Sequence, residues 1–201
     1  MPVLVLTVDQ RGSRTSADRL PAVASLLAPV PTLRPFEQTV GDEIQGVLDS
    51  PAALPDAVEL LLRDDAWHIG IGVGEVETPL PTSTRSGRGP AFVHARTAVT
   101  AAKSSPWHLR VVGETPWARR LETTLWLWAA VLGRRTSRGW EVADLAAEGL
   151  QYEEIARRLG ISPSAVSQRA AAAGIVESRR ARELVTDLAA CLLGKETADV
   201  G

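Results

Sequence analysis

The sequence predicts an α+β fold, with an N-terminal sheet carrying helices and an all-α C-terminal part. Three observations carry this. Up to Val112, apolar runs of strand length alternate with segments of helical period. From Pro116 onward only helical periodicity remains, broken by glycines. Charge is segregated along the same divide: residues 1–115 carry net −3, residues 116–201 net +1, and Arg134 to Arg182 net +3.

Val3 to Val8 is a β-branched apolar run ending at Asp9, followed by the polar loop of Arg11, Gly12, Ser13 and Arg14. Ser16 is placed to cap a helix running to Ala28, and Pro29 and Pro31 stop it. Phe36–Val40 and Glu43–Leu48 flank the turn pair Gly41-Asp42 and predict a hairpin. A short helix over Pro55–Arg63 precedes a glycine-rich strand, Trp67–Val76. Residues 79–89 form a Ser-, Thr-, Gly- and Arg-rich loop, expected to be flexible, in which Arg85 and Arg88 could close on phosphates. A helix over Pro90–Ala102 and a strand over Trp107–Val112 complete a β-α-β-β-α-β-α-β order. Helices over 116–132, 141–148, 152–159, 163–173 and 177–193 follow.

Composition narrows the chemistry. The chain has 201 residues, 45% of them hydrophobic and 23% charged, with net charge −2. That balance excludes a uniformly basic nucleic-acid coat. Cys191 is the single cysteine, so neither a disulfide framework nor a cysteine zinc site is available. His68, His94 and His108 show no ligand spacing, and no apolar run reaches the ~20 residues of a membrane span. A cytoplasmic protein without membrane contact is expected.

Residues 152–169 have the logic of two crossed helices. Ile155, Ala156 and Leu159 stripe the first, Gly160 makes the turn, Ile161 plugs the core, and Ser162 with Pro163 starts the second. Val166 and Ala170 point inward. This leaves Ser162, Ser164, Ala165, Ser167, Gln168 and Arg169 for phosphate and base-edge contacts with double-stranded DNA. Arg134, Arg135 and Arg138 precede this unit as a candidate phosphate clamp or, equally, a solvated loop. The segment resembles the helix-turn-helix of sigma-factor region 4 and LuxR-type regulators. Leu184, Leu188 and Leu192 stripe the last helix, which must pack within the chain or across a homodimer.

In the N-terminal part, Asp9 ends a strand while Asp42 and Glu43 lie in the hairpin, so adjacent strands would gather their carboxylates. Arg11 and Arg14, or Mg²⁺ held by Asp9 and Asp42, would offset the repulsion. The pattern of Asp9 with Gly41-Asp42-Glu43 resembles the palm-like (ferredoxin-like) domain of nucleotidyl cyclases and GGDEF proteins. More narrowly, Val8-Asp-Gln-Arg-Gly-Ser-Arg14 and Val40-Gly-Asp-Glu-Ile-Gln-Gly46 look like the SatD family of small bacterial proteins, over most of the chain. The cyclase resemblance implies metal binding at Asp9 and at Asp42 of the Gly41-Asp42-Glu43 turn; Arg11, Ser13 and Arg14 beside them and Arg85 and Arg88 on the loop complete the polar site expected to hold a nucleotide. Val93 stands where a cyclase has an asparagine, and Arg96 is one residue out of register, so binding without turnover is expected. The division expected is residues 1–113 as a ligand-sensing palm-like domain, 114–140 as a connecting helix and basic loop, and 141–201 as the DNA-binding unit. The function expected is a DNA-binding transcription regulator sensing a nucleotide or cyclic nucleotide. The alternative is a Mg-dependent nucleotidyl cyclase or nucleotidyltransferase with an accessory helix-turn-helix.

Overall fold

A computed structural model describes residues 1–13, 17, 19–39 and 41–195. Among these, five strands and eight helices run in the expected order. They are β1 (Pro2–Gln10), α1 (Leu20–Leu27), β2 (Arg34–Gln38), β3 (Glu43–Leu48), α2 (Ala53–Asp64), β4 (Trp67–Glu75), α3 (Pro90–Ala102) and β5 (Leu109–Val112). The helices α4 (Pro116–Leu132), α5 (Ser137–Ala147), α6 (Tyr152–Leu159), α7 (Pro163–Ala172) and α8 (Ile175–Leu193) follow.

The sheet order is β2-β3-β1-β4-β5. The first four strands pair antiparallel, and β5 joins β4 in parallel after the α3 crossover. The first four strands therefore have the ferredoxin-like arrangement expected of a palm-like sheet. One face is apolar throughout. Leu4, Leu6, Val8, Ile44, Ile69, Ile71 and Leu109 pack there against α1, α2, α4 and α8. The other face is covered by α3, which lies directly on β4 because Gly70 and Gly72 have no side chains, with Leu33 and Leu80 packed beside it. A Cβ on Gly70 would stand 2.3 Å from the Val99 backbone nitrogen, and one on Gly72 2.2 Å from the Ala91 carbonyl.

Several expectations are corrected. α1 begins at Leu20, with Pro21 in its first turn; Ser16 lies outside the described residues. β2 begins earlier, at Arg34, and Val40 is outside the described residues. β5 begins at Leu109 rather than Trp107, because Trp107 (φ 56°) and His108 (φ 50°) turn the chain just before it. α5 starts at Ser137, capped by the Thr136 hydroxyl, so Arg138 belongs to a helical first turn and not to a loop. The loop over 79–89 is fastened: Arg34 donates to the Pro81 and Leu80 carbonyls at 2.6 and 2.9 Å, and Thr84 to the Pro35 carbonyl at 2.7 Å.

The apolar core does not divide at Gly113. Leu121, Leu125, Trp128 and Leu132 of α4 and Val185, Leu188 and Leu192 of α8 belong to the same core as the sheet. The α8 stripe is thus buried within the chain, where a dimer seam had been an option; Leu184 alone of its leucines stays well exposed. Helices α5, α6 and α7 build a separate small core of Val142, Leu145, Ile155, Ala156, Val166 and Ala170. No helix among the described residues is long and apolar enough to cross a membrane.

Candidate functional site

The register of the sheet brings the predicted acids together. Asp9 pairs with Glu43 across β1 and β3 and with His68 across β1 and β4. Gly41 (φ 69°) turns the chain into Asp42, which accepts a hydrogen bond from the Ser13 hydroxyl and shares one with Asp9. That donor from Ser13 holds the Asp42 carboxyl below the ordinary carboxylate range, whereas burial pushes Asp9 and Glu43 above it.

The charge that offsets these acids is not the one expected. Lys103, just past the end of α3, places its ammonium 2.9 Å from the Asp9 carboxylate. That contact raises the lysine's own pKa above its usual value. Arg11 is turned away and pairs with Asp65 at 2.7 Å, and Arg14 lies outside the described residues. The sequence did carry a signal for Lys103. It lies seven residues after Arg96, on the same helix face, and is one of only two lysines in the chain.

The carboxylates do not fit a divalent metal as arranged. Asp9 is 4% exposed and already holds an ammonium, and no group of three or more metal-ligating side chains occurs among the described residues. Behind Asp9, burial and the neighbouring His108 ring depress the His68 pKa to about 4; the two rings meet edge-to-face at 5.1 Å.

Beside the acids, between the β2–β3 hairpin and α3, lies a cavity of about 1040 Å³. Arg85, Arg88 and Arg96 line it together with Gln45, Glu77 and Phe92. Arg85 and Arg88 were expected at a ligand; Arg96 was not. None of the three guanidinium groups has a hydrogen-bond or ion-pair partner among the described residues, although Arg96 lowers Glu43 electrostatically.

In the three-helix unit, α6 ends at Gly160 (φ 64°) and α7 begins after Ser162, whose hydroxyl accepts from the Ala165 amide at 3.1 Å. Ser162, Ser164, Ser167 and Gln168 are exposed and Ala165 is half-buried, while Val166 and Ala170 face the small core. Arg169 is drawn toward Glu141 of α5, at 4.0 Å. Arg134 and Arg138 are exposed. Arg135 is a correction: its side chain is 3% exposed and lies where the three-helix unit meets the rest of the chain. It donates to the Ala173 carbonyl at 2.8 Å, approaches Glu59 at 3.5 Å and stacks on Trp140. It is therefore unavailable to a phosphate.

Arg63 covers Trp140 as well, at 4.4 Å, and binds both oxygens of Asp144 at 2.7 and 2.9 Å. Arg182 pairs with Glu59 and Asp56. No family model, curated protein or solved structure matches the chain.

Proposed function

We propose that the chain is a DNA-binding transcription regulator whose sheet domain senses a nucleotide or cyclic nucleotide. The observation that carries this is the α6–α7 pair: a three-residue turn, a capped second helix, and Ser164, Ser167 and Gln168 free on its outer side. Small hydroxyls and an amide at the front of a helix suit phosphates and base edges in a major groove. Ser162, Ala165, Arg134 and Arg138 would add backbone contacts. Arg169 would have to leave Glu141 to reach DNA.

A homodimer reading two half-sites is the usual partner arrangement for such a unit. It would need a surface other than the α8 stripe, which is consumed inside the chain. Selection of bound fragments from genomic DNA, followed by titration of Gln168→Ala and Ser164→Ala, tests the reading. Each lost base contact is expected to weaken specific binding by about 1–3 kcal/mol with the fold intact. Operator affinity unchanged in the double variant would defeat it.

The second reading, a Mg-dependent nucleotidyl cyclase or nucleotidyltransferase, draws on the contact between Asp9 and Asp42. Lys103 on Asp9 counts against it. Product formation from labelled ATP or GTP that disappears in Asp9→Asn would establish it.

A further inference from the structure

The three cavity arginines differ from most of the others in the chain. Arg11, Arg19, Arg63, Arg135, Arg158 and Arg182 are held by acids, whereas Arg85, Arg88 and Arg96 make no hydrogen bond or ion pair among the described residues, and Arg96 feels Glu43 only at longer range. Like charges facing one space repel, and an arrangement that keeps them there is suited to a ligand anion. Glu77 is the one acid on the lining, so the cavity keeps a positive excess.

The loop backbone that carries Arg85 and Arg88 is also held in place. The Glu77 amide donates to the Arg88 carbonyl at 2.9 Å and closes the base of the loop. Ser83 donates to Glu37 at 2.7 Å, and Arg34 and Thr84 tie the middle of the loop to β2. Gly87 lies tight on the Phe92 ring, where a Cβ would come within 2.0 Å. A loop fixed before binding loses little entropy on binding. Val93, 65% exposed, gives the lining an open apolar surface beside the arginines, while Phe92 is buried against the sheet beneath Gly87. At about 1040 Å³ the space is of the size that holds a small organic ligand.

We propose that Arg85, Arg88 and Arg96 hold the phosphate groups of a nucleotide-type ligand whose ring rests against Val93, and that this binding requires no divalent metal ion. The metal is dispensable because the arginines supply the positive charge and Lys103 already neutralises Asp9. This deepens the nucleotide-sensing reading and rests on it.

The test is calorimetric titration of the full chain with ATP, GTP, their 3′,5′-cyclic monophosphates and inorganic pyrophosphate, each in EDTA and in Mg²⁺. At least one nucleotide is expected to bind in EDTA, more tightly than pyrophosphate. The Arg85→Ala/Arg88→Ala variant is expected to lose at least tenfold in affinity, as is Arg96→Ala, and Asp9→Asn less than twofold. Melting temperatures of the arginine variants, expected to be unchanged, show that the loss is not unfolding. Binding seen only with Mg²⁺ and abolished by Asp9→Asn would overturn the proposal and leave nucleotide sensing standing. Undiminished binding by the arginine variants would also overturn it. Absence of binding under every condition would overturn both.

Discussion

Two sets of three arginines behave in opposite ways. Arg63, Arg135 and Arg182 lie where the three-helix unit meets α2 and α8, and each is engaged by Asp144, Glu59 or Asp56. Arg85, Arg88 and Arg96 line a cavity and make no hydrogen bond or ion pair with any of the described residues. The residue type is the same, and the difference lies in what the fold sets opposite it. An acid on a neighbouring helix makes an arginine a fastener, and open space makes it a receptor for an anion. Burial then sets what each is worth to stability.

Arg135 is the sharpest test on the fastening side. Its side chain is 3% exposed, with Trp140, the Ala173 carbonyl and Glu59 around it. Burial draws the Arg135 pKa below the usual arginine value and pushes Glu59 up; Arg135 depends on Glu59 for its counter-charge, while Glu59 also holds Arg182 at 2.8 Å. Removing one partner of a buried pair costs about 3–5 kcal/mol. Arg135→Ala is expected to lower the melting temperature by roughly 6–20 °C at about 2–4 °C per kcal/mol for a chain of this length. A loss under about 1 kcal/mol would erase the distinction between the two sets.

The pH response is expected to arise on the sheet side. His68 has a folded pKa of about 4 against an ordinary 6.5, so the unfolded chain takes up the proton first on acidification. Its contribution is intact above about pH 6.5 and is lost as pH falls toward 4, at a cost of about 1–2 kcal/mol because water screens the partly exposed ring. Denaturant titrations at pH 7 and pH 4.5 should show this, and His68→Gln should flatten the difference. An unchanged slope in that variant would move the pH sensitivity elsewhere, the junction acids included.

The contrast between the two sets marks how far the sequence could be read. Element order, the hairpin at Gly41-Asp42 and the turn at Gly160 were legible because each depends on local period and turn chemistry. The meeting of Asp9 with Asp42 and Glu43 was legible too, since it follows from a strand end and a neighbouring hairpin. What required the structure were pairings over long separations. Lys103 taking the place expected of Arg11, Arg135 buried against Glu59, and α8 returning to the sheet core depend on how helices cross, which periodicity does not encode. The fastened loop was missed for the same reason: its composition reads as flexible, and its ties to β2 run through Arg34, about fifty residues away.

Asp144→Asn probes the exposed edge of the junction. Asp144 takes both Arg63 nitrogens, but each side chain is nearly half exposed, so water competes for the pair. A loss of about 0.2–1 kcal/mol is expected, shrinking further at high salt. A larger, salt-insensitive loss would show that the stack of Arg63 on Trp140 depends on this ion pair and that the junction fails as one unit.

The smallest expected effect on stability is on the receptor side. Arg85 and Arg88 are exposed and make no ion pair among the described residues, so replacing them removes no contact that the fold uses. Surface changes of this kind stay within about ±0.5 kcal/mol. Mutual repulsion in the cavity inclines the sign toward stabilisation, most visibly at low salt, where screening is weakest. Melting of Arg85→Ala/Arg88→Ala in low and high salt measures this directly. A gain at low salt that vanishes at high salt would show that the positive charge of the arginines outweighs the negative charge of the nearby acids Glu77 and Glu43, as an anion receptor requires. A loss above about 1 kcal/mol would instead make these arginines fasteners like Arg135, and the difference between the two sets would be one of degree.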